Sequence, residues 1–181
     1  ERSTYQIEHE TATVVLTETG IENDTAKYNL KLTNLAGHKF PSGYPSRRAY
    51  VEIIAVDDAG NEVFHSGKMD NQYRIVGEDD TWEPHYDIIT AEDQIQIYEM
   101  VMGDVNGNRT TVLERADVML KDNRLTPVGF SVNHVSYDTT KIVGEALYDP
   151  NFNHFPNGTE GSGTDEIRVH IPLNGFSGNL H

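Results

Sequence analysis

The sequence predicts a mostly β fold: an antiparallel β-sandwich, Ig-like or jelly-roll-like, with long loops and little helix. Three observations carry that expectation. Several short segments alternate apolar and polar residues, the period of a half-buried strand. Turn-forming residues separate them, with 15 glycines and 7 prolines in 181 residues. No segment sustains the 3.6-residue apolar period of a long amphipathic helix, and no internal repeat is visible.

In chain order, residues 1–10 are polar and read as an extended lead-in. Residues 11–17 alternate with β-branched side chains and predict a strand, followed by a turn at Asn23-Asp24. Residues 26–33 alternate most cleanly. Ala26, Tyr28, Leu30 and Leu32 share one face, and Lys27, Asn29, Lys31 and Thr33 the other. Residues 49–56 predict the next strand, and the turn residues Asp58-Ala59-Gly60-Asn61 lead into a partner at 62–65. Residues 66–83 carry few strand signals. The apolar-rich stretch 88–102 predicts a strand. Residues 110–120 fit either a strand or a short helix, because Leu113, Ala116, Val118 and Leu120 do not settle the period. Residues 130–135 and 141–147 are weaker strand candidates. Ile167, Val169, Ile171 and Leu173 predict a closing strand. No linker is evident, so the expectation is one domain over residues 1–181.

Composition narrows the function. The formal charge is −15, from 14 basic and 29 acidic residues. A nucleic-acid partner needs a basic face for phosphates, so that class is disfavoured. An acidic surface fits a cationic partner, a bound divalent metal, or solubility alone. Hydrophobic residues make up 36% and the mean hydropathy is −0.56, so loops must be plentiful. No run approaches the length of a membrane helix. No signal peptide is visible at Glu1, which predicts a mature form or a piece of something longer. There is no cysteine, so a disulfide framework is excluded. Asn23, Asn108 and Asn157 stand in Asn-x-Ser/Thr sequons.

The densest concentration of unusual residues is Asn34-Leu35-Ala36-Gly37-His38-Lys39-Phe40-Pro41-Ser42-Gly43-Tyr44-Pro45-Ser46-Arg47-Arg48. A connection of this length between strands is commonly functional. Gly37 leaves His38 uncrowded, and Pro41 and Pro45 stiffen the backbone around it. Further along stand Pro84-His85-Tyr86-Asp87-Ile88-Ile89, Gln94-Ile95-Gln96-Ile97-Tyr98-Glu99, Met102-Gly103-Asp104-Val105-Asn106-Gly107-Asn108, and Lys121-Asp122-Asn123-Arg124-Leu125 with Pro127 and Gly129-Phe130. Taken in order over roughly residues 30–175, these segments resemble the non-haem β domain that follows the haem-bearing region in bacterial multihaem c-type cytochromes. The resemblance implies a β-sandwich, a location in the periplasm or outside the cell, and a haem c carried outside this chain. Such a haem is attached through Cys-x-x-Cys-His, and the chain lacks cysteine.

Two histidines are haem-ligand candidates on this resemblance. His38 would supply the distal imidazole to a haem held by a neighbouring segment; its alternative is a loop histidine bonded to backbone carbonyls. For His85, Tyr86 and Asp87 would orient the ring, and the alternative is a strand-edge residue. His9, His65, His134, His154, His170 and His181 show no ligand spacing, and no pair supports zinc. Arg47 and Arg48 are candidates for a bidentate grip on a haem propionate or for ion pairs with acidic neighbours; strand alternation would turn one inward and one outward.

Two oxygen-rich loops are calcium candidates. Asp104, Asn106 and Asn108 flank a glycine turn. Asp149, Asn151 and Asn153 fall at positions 1, 3 and 5 of an EF-hand-like register, with Asn157 and Glu160 at 9 and 12. His154 stands where an EF-hand needs glycine, so the second loop is no EF-hand. The competing account is a pair of Asx turns.

No Gly-x-Ser-x-Gly elbow, P-loop or Gly-x-Gly-x-x-Gly is present, and the expectation is no enzyme. The function expected is a non-catalytic module of a multihaem electron-transfer system, packed against a haem-bearing cytochrome segment or subunit. The alternative is a calcium-stabilised extracellular sandwich that binds a glycan or protein through Tyr44, Trp82, Tyr86, Tyr148 and Phe155, or that self-assembles into filaments through its edge strands.

Overall fold

The computed structural model describes residues 2–43 and 47–181. Strands hold 36% of the chain and helix 8%, so the expected β-rich, helix-poor fold is found. A helix α1 (Arg2–His9) precedes β1 (Ala12–Glu22), β2 (Thr25–Asn34), β3 (Ala49–Tyr50), β4 (Ile53–Val56), β5 (Glu62–Ser66), β6 (Ile88–Ile89), β7 (Ile97–Tyr98), β8 (Met100–Gly103), β9 (Arg109–Thr110), β10 (Val118–Asp122) and β11 (Thr164–Pro172). Short 3₁₀ turns cover Leu113–Arg115, Tyr137–Thr139 and Glu145–Leu147. One sheet runs β1-β2-β11-β6, a second β10-β8-β9, and two more are the pairs β3-β7 and β4-β5.

Several local expectations change. The lead-in is helical rather than extended. Glu10 N–H donates to Gln6 O at 3.0 Å, and the rings of Tyr5 and His9, one turn apart, lie 4.6 Å between centroids. The single strand expected at 49–56 is interrupted at Val51, whose N–H turns to Gln96 O at 3.0 Å. Residues 110–120 resolve into the end of β9, a 3₁₀ turn and the start of β10. Residues 130–135 and 141–147 form no strand. Their apolar residues act singly: Ile142 and Ala146 are buried, while Val132 and Val135 are exposed. Val143 makes only an isolated bridge to Asp122. The closing strand is interior to its sheet and runs parallel to β6, pairing Arg168 with Ile88 and Val169 with Ile89.

The clean patterns behave as expected. In β2 the buried residues are Ala26, Leu30, Leu32 and Asn34. In β11 they are Asp165, Ile167, Val169 and Ile171. β4 and β5 form an antiparallel hairpin, closed by Asp57 Oδ1, which accepts the N–H groups of Ala59 and Asn61 at 2.8 Å.

Contacts group the chain into two compact units. The first comprises Glu1–Val15, Lys31–Ala49 and Tyr98–Glu166. Its apolar core is small, with Leu32, Tyr98, Val101, Leu125, Ile142 and Phe152 buried. Buried polar pairs supplement it. Tyr98 Oη donates to Asp165 Oδ2 at 2.6 Å, and Lys121 Nζ meets Glu99 Oε1 at 3.2 Å. The second unit comprises Leu16–Leu30, Tyr50–Ile97 and Ile167–His181. Its core is more conventional: Phe64, Ile89, Ile167 and Val169 are buried, and Ile75, Ile95 and Ile97 pack together with Tyr50. Each such side chain contributes about 1.5–3 kcal/mol. Gly67, at φ +76°, passes so close to Val51 O that a Cβ would lie 2.4 Å away, so this position requires glycine.

Candidate functional site

The loop after β2 is held by its first residue. Asn34 is 1% exposed. Its Oδ1 accepts Ala36 N–H at 2.8 Å. Its Nδ2 donates to His38 O at 2.7 Å and to Leu125 O at 3.0 Å. Phe40 then pairs with Leu125 through both backbone groups, at 2.9 and 2.8 Å. His38 is therefore presented between two pins, and both pins fall on Leu125. The segments 34–43 and 121–125, far apart in sequence, form one structure. Tyr44, Pro45 and Ser46 lie outside the described residues.

His38 is exposed. Its Nδ1 lies 3.0 Å from Lys39 O. A carbonyl can only accept, so Nδ1 carries the proton and Nε2 keeps its lone pair, the tautomer a metal ligand needs. The ring borders a cavity of about 920 Å³, within the usual range for small-molecule sites. The segment Pro127–Ser131 and His134 also line it. Glu160 fastens that segment by accepting from Ser131 Oγ and, at 3.0 Å, from Val132 N–H. These donors, the Ser131 hydroxyl first, hold the Glu160 carboxyl below its ordinary pKa. His134 has the opposite tautomer to His38. Its Nδ1 accepts Ser136 N–H at 3.1 Å, so the neutral ring carries its proton on Nε2.

Beneath the cavity lies a buried charge cluster. Asp122 is fully buried. Its Oδ2 receives Lys39 Nζ at 3.0 Å. Arg124 grips both carboxylate oxygens, Nε to Oδ1 at 2.9 Å and Nη2 to Oδ2 at 2.8 Å. Lys39 Nζ also donates to Lys141 O at 2.9 Å and sits 5.4 Å from the centre of the Phe130 ring. Burial pushes the Lys39 ammonium below its ordinary pKa, opposed by the attraction of Asp122. The sequence marks Lys121–Leu125 only through its resemblance, gives Lys39, Asp122 and Arg124 no role, and shows no ligand spacing at His134. The visible signal was a lysine beside the loop histidine and an Asp-x-Arg in the later segment.

His85 belongs to the second unit and is 6% exposed. Gln96 fixes its state. Gln96 Oε1 accepts Tyr86 N–H at 2.8 Å, so the amide nitrogen faces His85 Nδ1, also at 2.8 Å. Nδ1 therefore accepts, and the neutral ring's proton sits on Nε2. This is a packed, oriented histidine rather than one offered on a surface. Tyr86 is half-buried and its hydroxyl donates to Glu83 Oε2 at 2.9 Å. Burial first, then Glu83, raises the Tyr86 pKa well above its ordinary value.

The remaining described candidates do not line the His38 cavity. Arg47 and Arg48 are both exposed, because β3 begins only at Ala49 and the inward-outward alternation has not started. Arg47 folds back over Gly43 and donates to Ser42 O at 3.3 Å. Arg48 lines a separate small cavity of about 110 Å³ with Glu99 and Arg109.

Among the calcium candidates, Asp104 Oδ1 accepts Asn106 and Asn108 N–H at 2.8 and 2.9 Å. These bonds lower its pKa, in the manner of an Asx turn closing the β8–β9 hairpin. In the other loop, Asp149 Oδ1 accepts Asn151 N–H at 2.7 Å. Asn153 Oδ1 accepts Thr126 Oγ1 at 2.7 Å, and Glu160 serves the 131–132 turn. Each of these described bonds takes its oxygen to a different chain donor. Of the aromatic set, Tyr148 and Phe155 are exposed, whereas Trp82 and Tyr86 are half-buried.

No family model, no curated protein and no solved structure matches the chain. No helix among the described residues is long and apolar enough to cross a membrane.

Proposed function

We propose that this chain is a non-catalytic β-sandwich module of a multihaem electron-transfer system, acting in the periplasm or outside the cell. It packs the His38 face against a haem c held by another segment or subunit and supplies the Nε2 of His38 as distal ligand. The observation that carries this reading is the pairing of tautomer and place. His38 has its Nδ1 proton committed to Lys39 O, and the ring borders a cavity of about 920 Å³. A ligand histidine held by a backbone carbonyl is the usual arrangement in metal sites. The module's effect would be on redox poise, through ligand identity and exclusion of water from the haem. His85, packed against Gln96, serves the fold in this scheme.

The test is His38→Ala in the haem-bearing assembly, with His85→Ala as the matched control. His38→Ala converts a two-histidine haem spectrum to a five-coordinate or water-ligated one and shifts its potential. An unchanged spectrum and potential would remove His38 from the ligand set.

A second reading has its own support. β1 lies at the edge of its sheet and exposes Val14, Val15, Leu16 and Ile21. A long apolar edge strand is a pairing site for another strand, which fits assembly into a filament. Sedimentation over a hundredfold range of concentration separates the readings: a constant monomer mass rules out self-assembly.

A further inference from the structure

The geometry points to a carboxylate-binding position in the His38 cavity, made by Arg124 with His134, which would take the propionate of a tetrapyrrole. The inference deepens the proposed function and rests on it for the source of the carboxylate.

Three observations converge. First, about one residue in six of the chain is acidic, yet no aspartate or glutamate is among the described residues lining this cavity. On so acidic a protein, a wall free of carboxylates is where an anion would meet the least repulsion. Second, the charge beneath it is unbalanced. Among the described residues, two cations, Lys39 and Arg124, share the carboxylate of Asp122. The cluster therefore carries a net positive charge, and its three side chains are 8%, 11% and 0% exposed. A buried excess charge is costly unless an opposite charge approaches it.

Third, donors remain for that approach. Arg124 spends Nε and Nη2 on Asp122. Its Nη1 has no acceptor among the described residues, and the residue lines the cavity. His134, which also lines the cavity, holds its proton on Nε2 because Nδ1 accepts from Ser136. Arginine suits this role because its planar fork remains charged and can hold a second carboxylate while gripping the first. His38 thus offers the cavity a bare Nε2 and His134 a protonated one. Arg47 and Arg48, the propionate candidates of the sequence, do not line it.

The experiment is a titration of the unaltered chain with haemin, with haemin dimethyl ester, and with succinate, followed by absorbance and calorimetry. It is repeated on Arg124→Gln and Arg124→Lys. Haemin binding about ten- to hundredfold tighter than the ester, with the difference lost in Arg124→Gln, is the expected result. Equal binding of haemin and ester overturns the carboxylate position and leaves His38 ligation standing. Succinate binding that depends on Arg124, without binding of haemin, upholds the carboxylate position but removes the tetrapyrrole as its source and counts against the proposed function. Absence of all three overturns both. Because the ester comparison uses unaltered protein, misfolding of a variant cannot decide the outcome.

Discussion

Asp122→Asn should be among the most damaging single substitutions in the first unit, and far worse than Lys39→Met. The carboxylate is fully buried and accepts from Lys39 Nζ, Arg124 Nε and Arg124 Nη2 between 2.8 and 3.0 Å. Asparagine keeps the shape but removes the charge. One of its two atoms must then present N–H groups to a donor, either Lys39 or Arg124. Two buried cations are left without a counter-charge, and removing one partner from a buried pair costs about 3–5 kcal/mol. Lys39→Met deletes the excess cation instead. Asp122 and Arg124 remain a neutral bidentate pair, and a methionine fills the channel over Phe130. The loss of two charge-assisted bonds, to Asp122 Oδ2 and to Lys141 O, is offset by relief of the unbalanced charge, leaving about 1–2 kcal/mol. In urea, with a slope of about 2 kcal/mol per molar, the midpoint falls by roughly 1.5–2.5 M for Asp122→Asn. For Lys39→Met it falls by under about 1 M. Circular dichroism of the two variants measures this directly. Equal midpoints, or a larger loss for Lys39→Met, would refute the assignment of net positive charge to the cluster.

Other outcomes follow from single contacts. Tyr98→Phe leaves Asp165 Oδ2 without its buried hydroxyl donor and should cost about 1–3 kcal/mol in thermal or urea unfolding; a neutral result would mean water replaces the hydroxyl. Gly67→Ala meets both a positive φ and Val51 O, so it should destabilise by at least about 1–3 kcal/mol, seen as a lower Tm. The ring of His65 touches two carboxylates, Glu62 at Nδ1 and Glu52 at Nε2. Burial favours its neutral form, yet the two hydrogen bonds outweigh it and raise its pKa. A raised pKa stabilises the fold below the unfolded value of about 6.5 and is lost as pH rises through the folded value. The stability difference between wild type and His65→Gln should therefore shrink as pH rises above about 6.5; a difference that grows with pH would reverse the assignment. Because Asp104 Oδ1 is engaged by the N–H groups of its own turn, Asp104→Ala should lower the Tm equally with calcium and with chelator; a loss seen only with calcium would make it a ligand.

What the sequence determined by itself is what local periodicity can encode. The alternation in residues 26–33 and 167–173 marked β2 and β11 to within a few residues, because burial of one strand face forces a period of two. The turn at Asp57–Asn61 was legible for a similar reason: an Asx side chain and a glycine close it locally. The loop around His38 was conspicuous from glycine, proline and histidine alone. Strands of two residues such as β3, β6, β7 and β9 left no pattern, since they exist only through partners supplied by the fold. Helix α1 rests on local contacts too short to register as a period. The cavity wall, the tautomers of His38 and His134, and the Lys39–Asp122–Arg124 cluster were decided by tertiary structure. Asn34 and Phe40 must first reach Leu125 before Lys39 can meet Asp122, 83 residues away. Only that closure reveals which charges share a buried space, and electrostatic function depends on that shared space rather than on composition.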